Sequence, residues 1–342
     1  MHILGLANGS LQGNSEILLK AALNAAQKED PSPTVSWIHV PSVSIPRNPK
    51  PLEGQLDISL GTVDSMKAGN DHDSVPDDRE AVLTAILDAD AIIISTPTYS
   101  HQPPGVIKAL FDRIGGPYVD ASFAELVRQG QAAEDPNFAN MKFDPRLQKP
   151  RVAGFMAIGG SRTPDQFTMA LPSLHVLVYP IHAKVVDQFI GQGVAARGSV
   201  LLQPELMERA RQLGRHIVSQ MGKHFDDAQY LGPRDESSCP NCHLSKIELL
   251  GKDKSIGCIT CGARGKLVIL PNQEIRFDWE DNSIWSCITM EGKLKHSKEI
   301  GAWGMEEQQK LKSIEKEKQS WLDLHAPKVP LPSESIWSKL DS

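Results

Sequence analysis

Ile3-Leu4-Gly5-Leu6-Ala7 runs straight into Asn8-Gly9-Ser10-Leu11-Gln12-Gly13-Asn14-Ser15, and this join decides the fold. An aliphatic run with no polar interruption suits a strand buried on both faces, as in a parallel sheet. The small polar run after it is a tight turn. Beyond the turn Ile17, Leu18, Ala21, Ala22 and Ala25 recur at helical spacing, so the sequence predicts a helix from Asn14 to Gln27. Strand, turn and helix in that order bring a helix N-terminus, with its unpaired N–H groups and positive dipole end, to the carboxyl end of the strand. The Ser10 and Ser15 hydroxyls and the Asn14 amide add donors, so the turn is a candidate phosphate cradle. It lacks both the Gly-Lys-Ser/Thr ending of a Walker loop and the spacing of a dinucleotide-binding Gly-x-Gly-x-x-Gly turn.

The same alternation continues outward. Strands are expected at Val35 to Val40, Ala91 to Ser95, Val152 to Ile158 and Lys184 to Ile190. Helices are expected at Arg79 to Asp88, Pro104 to Ile114, from about Pro164 with an interruption at Pro172, and Pro204 to Met221. This pattern predicts an α/β fold with a parallel sheet covered on both faces. Two insertions enlarge it, at about 41–78 and 115–150, the second holding Tyr118, Phe123, Phe138 and Phe143.

The texture changes near Leu231, which divides the chain into a domain over 1–230 and an extension over 231–342. In the extension, short strands are expected at Leu267 to Leu270, Ile275 to Trp279 and Ile284 to Ile288. A charged helix is expected from Glu306 to Trp321, and an extended tail from Ala326. Five of the six tryptophans fall there, and packing is the expected role of each. The whole chain of 342 residues carries a net charge of −6, and no basic excess marks it as a nucleic-acid or acidic-membrane binder. No apolar run approaches the ~20 residues that span a bilayer, and the N-terminus has no leader pattern, so a cytoplasmic protein is expected.

After the third strand comes Thr96-Pro97-Thr98-Tyr99-Ser100-His101-Gln102-Pro103-Pro104-Gly105, leading into Lys108 and Asp112-Arg113. Prolines stiffen this loop, which lies at the same sheet edge as the cradle. Together, the Gly-Ser-x-x-x-Asn-Ser turn and the Pro-Thr-Tyr-x-x-x-Pro-Pro-Gly-x-x-Lys-x-x-x-Asp-Arg run resemble the flavodoxin-like NAD(P)H-dependent FMN reductase and quinone reductase family. Gly159-Gly160-Ser161, after the fourth strand, stands where that family carries a small-residue loop at the flavin. The resemblance covers about Met1 to Gly222, and Gln12 stands where many members have Arg.

The resemblance implies five strands in the order 2-1-3-4-5 and a bound FMN. Ser10, Gln12, Asn14 and Ser15 would hold the phosphate; Pro97, Thr98, Tyr99 and His101 would line the ring system; Gly159, Gly160 and Ser161 would meet its far edge. Because the cofactor carries the reaction, the protein needs only to orient and tune it. His101, with Tyr99 beside it, is the candidate proton donor to a reduced substrate, and His175, set among Leu174, Val176, Leu177 and Val178, is expected to be structural. The resemblance further implies a homodimer or tetramer.

Cys239-Pro240-Asn241-Cys242 and Cys258-Ile259-Thr260-Cys261 form two C-x2-C knuckles with 15 residues between them. Four thiolates from two such knuckles suit a tetrahedral zinc, and iron in the same geometry would make an electron carrier. Cys287 has no evident partner and is expected to be a small buried hydrophobe. The expected function is therefore an FMN-dependent oxidoreductase, reduced by NADPH or NADH and reoxidised by a quinone, a flavin or a specific organic acceptor in a ping-pong cycle. The alternative is a non-catalytic flavodoxin-like scaffold or sensor whose zinc ribbon recruits a protein.

Overall fold

A computed structural model describes residues 1–45, 76–115, 119–281, 284–325 and 327. It divides into two compact units, Met1–Ser297 and Lys298–Ser342. Most of the first insertion, Tyr118 and the tail beyond 327 lie outside the described residues.

The first unit is built on five parallel strands, β1 (His2–Ala7), β2 (Thr34–His39), β3 (Ala91–Pro97), β4 (Arg151–Ile158) and β5 (Ala183–Gly191), in the order β2-β1-β3-β4-β5. This is the order the resemblance implied. Alternate residues feed two cores, as the period of a strand requires. On one face Leu4, Leu6, Ile92, Ile94 and Phe155 pack under α2 (Arg79–Asp88), α3 (Gly105–Ile114) and α5 (Ala170–Val178). On the other, Ile3, Ile93, Val152 and Met156 pack under α1 (Asn14–Glu29) and α6 (Pro204–Gln220). α1 and α6 cross so closely that a Cβ on Gly214 would stand 2.1 Å from the Ala22 carbonyl oxygen.

Arg151 opens β4 fully buried. Its guanidinium donates to the carbonyls of Leu87 (2.5 Å), Ala89 (3.1 Å) and Arg146 (2.6 Å), tying the end of α2 to the sheet. Pro172 does not break α5, because it sits in the first turn, where no intrahelical N–H is required. The second insertion contains a helix that sequence periodicity did not single out, α4 (Ala121–Ala132), capped by the Asp120 carboxylate, which accepts the N–H groups of Ser122 and Phe123.

Beyond α6 the unit adds an antiparallel sheet of β6 (Ile247–Leu249), β7 (Ser255–Cys258), β8 (Arg264–Ile269) and β9 (Ile275–Trp279). The strand expected at Ile284 to Ile288 is instead a pair of turns. The Cys287 N–H donates to the Cys261 carbonyl at 2.8 Å, so the segment folds over the second knuckle rather than extending a sheet. The helix expected from Glu306 starts earlier, as α7 (Met290–Leu311), and α8 (Glu315–Leu322) follows it. Gly292, Gly301 and Gly304 had obscured its helical pattern. In the second unit Ile300, Trp303, Leu311, Trp321 and Leu322 are all exposed. Among the described residues no helix is long and apolar enough to cross a membrane.

Candidate functional site

Four loops leave the carboxyl ends of β1, β3, β4 and β5 and meet at one sheet edge. The first is the predicted cradle. Its backbone closes with the Gly13 N–H on the Ser10 carbonyl at 3.0 Å, and a Cβ on Gly13 would stand 2.7 Å from that oxygen. Gln12 is left-handed (φ 57°), and its N–H donates to Glu16 Oε2 at 2.7 Å. The Glu16 carboxylate also accepts from Lys20 at 2.5 Å, which holds its pKa below the ordinary carboxylate range. His39 Nε2 meets the Gly9 carbonyl at 2.7 Å from below. Asn14, Ser15 and Glu16 form the first turn of α1, where backbone N–H groups have no intrahelical acceptor.

Asn14 differs from Ser10 and Ser15 in what its side chain does. Its Nδ2 donates to the Ala196 carbonyl at 2.7 Å, and its Oδ1 accepts the Val200 N–H at 3.2 Å. Both side-chain polar atoms thus clamp the loop after β5.

The second loop turns back on itself. Tyr99 N–H donates to the Gln102 carbonyl at 2.9 Å and Gln102 N–H returns to Tyr99 at 3.2 Å. The two residues between, Ser100 (φ 47°) and His101 (φ 73°), are both left-handed. Neither is glycine, so the turn holds backbone strain of about 1–3 kcal/mol per residue. His101 is anchored at two points: Nδ1 lies 3.1 Å from Thr168 Oγ1, and its carbonyl accepts the Met169 N–H at 3.2 Å. Tyr99 is 63% exposed, so its ring offers a face to a ligand.

Thr98 N–H donates to the Ile158 carbonyl at 2.7 Å, joining the second loop to the third. There Gly159 and Gly160 are hemmed in: a Cβ on either would come within 2.9 Å of the Phe167 ring or 3.1 Å of the Ala195 Cβ. Ser161 accepts the Gly193 N–H on its carbonyl at 2.9 Å. The edge therefore brings together all eleven residues predicted to hold the cofactor, with Asn14 turned to a second task. Sequence reading missed Thr168, Glu16 and the loop after β5. The Thr168 to His101 contact spans 67 positions, and no local pattern encodes it.

A flavin fits this edge. The Asn8 Oδ1, Ser95 Oγ, Thr98 Oγ1 and Ser199 Oγ atoms are buried there without a hydrogen-bond partner, and buried polar atoms are ordinarily satisfied. His175, by contrast, is fully buried under the sheet. It bonds Gln188 Oε1 through Nε2 at 2.9 Å, and burial lowers its pKa to about 4. A cavity bounded by Glu125, Lys149 and Phe225 opens near the starts of β4 and β5, away from this edge.

The four knuckle cysteines are buried and unbridged, with their Sγ atoms all within 4.8 Å of one another. Cys239 and Cys261 stand 3.5 Å apart and Cys242 and Cys258 3.4 Å apart. A disulfide needs about 2.05 Å, whereas thiolates around one ion at about 2.3 Å each lie a little under 4 Å apart. The cluster could hold a metal ion. Gln188 Nε2 donates to the Cys242 carbonyl at 2.8 Å, joining the first knuckle to β5 and, through Oε1, to His175.

These features define a flavin-binding reductase. The chain belongs to the NADPH-dependent FMN reductase family, whose sequence model matches residues 1–130, and it is an NAD(P)H-dependent flavin oxidoreductase. A flavone synthase from Aspergillus candidus is 33% identical to it over 305 residues, which cover 88% of each chain. A solved flavone reductase matches 97% of this chain and 100% of its own at 23% identity, with a TM-score of 0.70, and so shares the fold. An apo NADH:FMN oxidoreductase matches 67% of this chain and 94% of its own at 16% identity, with a TM-score of 0.41.

Proposed function

We propose that the second acceptor is a flavone-type conjugated ketone, and that NAD(P)H and this acceptor react in turn at one site in a ping-pong cycle. The reading is carried by similarity over nearly the full length to a protein named for making a flavone, the opposite direction of the same two-electron couple. An apolar rim supports it. Leu11, Tyr99, Val106, Met169, Leu201 and Leu202 are all exposed on loops and helix starts beyond the carboxyl ends of the strands, and an aromatic substrate needs such a surface. A second copy packing on part of the same rim would give the homodimer or tetramer expected for the family.

In this reading the N–H groups of the first turn of α1, with the Ser10 and Ser15 hydroxyls and the Gln12 side chain, hold the phosphate. Pro97, Thr98, Tyr99 and His101 line one side of the ring and Gly159, Gly160 and Ser161 its far edge. The flavin, when bound, supplies two-electron transfer between nicotinamide and acceptor. The balance is one flavone, one NAD(P)H and one proton giving the dihydro product and NAD(P)⁺, with the proton delivered by His101. The four cysteines hold one zinc as a structural staple, and a centre of four free thiols suits a reducing cytoplasm.

The test is anaerobic incubation of the purified holoenzyme with NADPH and flavone, followed by mass spectrometry. Product carrying two added hydrogens, with matched NADPH consumption, is expected. NADPH oxidation that proceeds only with quinone or free flavin, together with failure to form flavone from its dihydro form under an oxidant, would sink the proposal.

A further inference from the structure

We infer that Thr168 is the positioning residue for His101, holding the imidazole in the orientation and protonation pattern from which Nε2 gives its proton to the acceptor. The inference rests on the reading above, in which His101 supplies that proton.

The geometry is specific. His101 is the second of two consecutive left-handed residues, so its Cα is aimed by the turn itself. That conformation persists only where the surroundings over-determine it. Two neighbouring residues do so from the turn that precedes α5. Met169 N–H grips the His101 carbonyl, and Thr168 Oγ1 grips Nδ1. With Nδ1 engaged, Nε2 is the ring nitrogen left on the open side, and His101 is exposed. Asp165, on the short turn Pro164–Phe167, interacts electrostatically with the same ring.

A threonine hydroxyl suits this place for a chemical reason. It is one donor and two acceptor sites on a rotor. Opposite the neutral imidazole left once Nε2 has given its proton, it accepts from Nδ1–H, which leaves Nε2 as the nitrogen to be reprotonated. Opposite an imidazolium it accepts from Nδ1–H. The side chain can therefore follow His101 through a proton cycle without moving. In the step, a hydride equivalent from NAD(P)H adds to one carbon of the acceptor's conjugated C=C bond, and the Nε2 proton adds to its neighbour. The imidazolium becomes neutral imidazole and is reprotonated from water.

The test uses full-length holoenzyme, NADPH and flavone as the probe, anaerobically, from pH 5.5 to 9 as experimental settings bracketing the usual imidazole range of about 6.5. Thr168→Val is isosteric at a half-buried site. It is expected to lower kcat about tenfold with the flavone KM within about twofold, as for a group acting in the transition state. Thr168→Ser should restore most of the rate, since it keeps the hydroxyl. The imidazole limb of the kcat profile should move in Thr168→Val and vanish in His101→Gln. Adding Thr168→Val to His101→Gln should cost less than about twofold more, because the two act as a unit. If the double variant loses the full factor again and the Thr168→Val profile keeps its wild-type shape, Thr168 is merely structural and the inference falls alone. If His101→Gln reduces flavone at the wild-type rate, the role of His101 falls and that of Thr168 with it. Should Thr168→Val fail to fold, Thr168→Ala and Thr168→Ser compared on the same profile decide the question in the same terms.

Discussion

The Asn14 side-chain amide and the Ala196 carbonyl meet at 2.7 Å across 182 positions of sequence. With the Val200 N–H on its Oδ1 at 3.2 Å, Asn14 fastens the wall after β5 to the first turn of α1. Removing it by Asn14→Ala should cost about 1–2 kcal/mol for two lost hydrogen bonds at a half-exposed site. FMN titration followed by flavin fluorescence should show weaker binding, by about tenfold. Asn14→Asp, which keeps only the acceptor, should fall between. Unchanged affinity in both variants would show that the wall does not shape the cradle.

Gly13 tests the cradle directly. A Cβ there meets the Ser10 carbonyl oxygen at 2.7 Å, a backbone atom that cannot swing away. Gly13→Ala should displace the loop and weaken FMN retention at least tenfold, while the melting temperature of the apoprotein moves by only a few degrees, as for a change of about 1 kcal/mol. An apoprotein that melts far lower would assign Gly13 to the fold rather than to the cradle.

The cysteine centre predicts a stoichiometry and a consequence. Metal analysis of the purified protein should find about one zinc per chain, by the four-thiolate rule. Cys258→Ser should abolish it and lower thermal stability, because the metal binding energy of such sites is folding energy. A metal-free wild-type protein of undiminished stability would remove the metal assignment.

His175 predicts an acid-side loss of stability. Burial lowers its pKa to about 4, while the unfolded chain takes up the same proton near 6.5. The unfolded state therefore binds more protons across that interval, so stability falls as pH drops from about 6.5 to 4 and levels off below. Fully developed, a shift of this size corresponds to about 3 kcal/mol. Denaturant melts of wild type and His175→Asn at several pH values should differ in slope by this one proton. Parallel slopes would mean that another group governs the acid limb.

Much of the fold was legible because it is written locally. The β1 run and the helical spacing of Ile17, Leu18 and Ala22 need no distant partner to be read, and Arg79 to Asp88 was read to the residue. The site loops were legible for a related reason: glycines and prolines at a strand end constrain the backbone wherever the chain later goes. Three things were not legible. α4 hid in a segment whose length and aromatic content marked it as an insertion. Ile284 to Ile288 has the composition of a strand but lies against the Cys261 carbonyl, which sequence cannot foresee. Asn14 was read as a phosphate ligand by its position, and the bonds of its side chain to a loop near residue 200 that carries no motif could not be foreseen.

The bond from Gln188 to the Cys242 carbonyl bears on how the chain can be shortened. Gln188 is in the middle of β5, is buried, and also carries His175. Cutting after Leu231, where the texture changes, would take away the carbonyl that satisfies its amide and uncover the underside of the last strand of the sheet. A reductase domain trimmed at that natural-looking border would lose this bond and open to water a strand face that is buried in the full chain. The shortest piece that keeps this amide paired must extend past the first knuckle, so a border drawn at the change of texture cuts through a contact of the sheet.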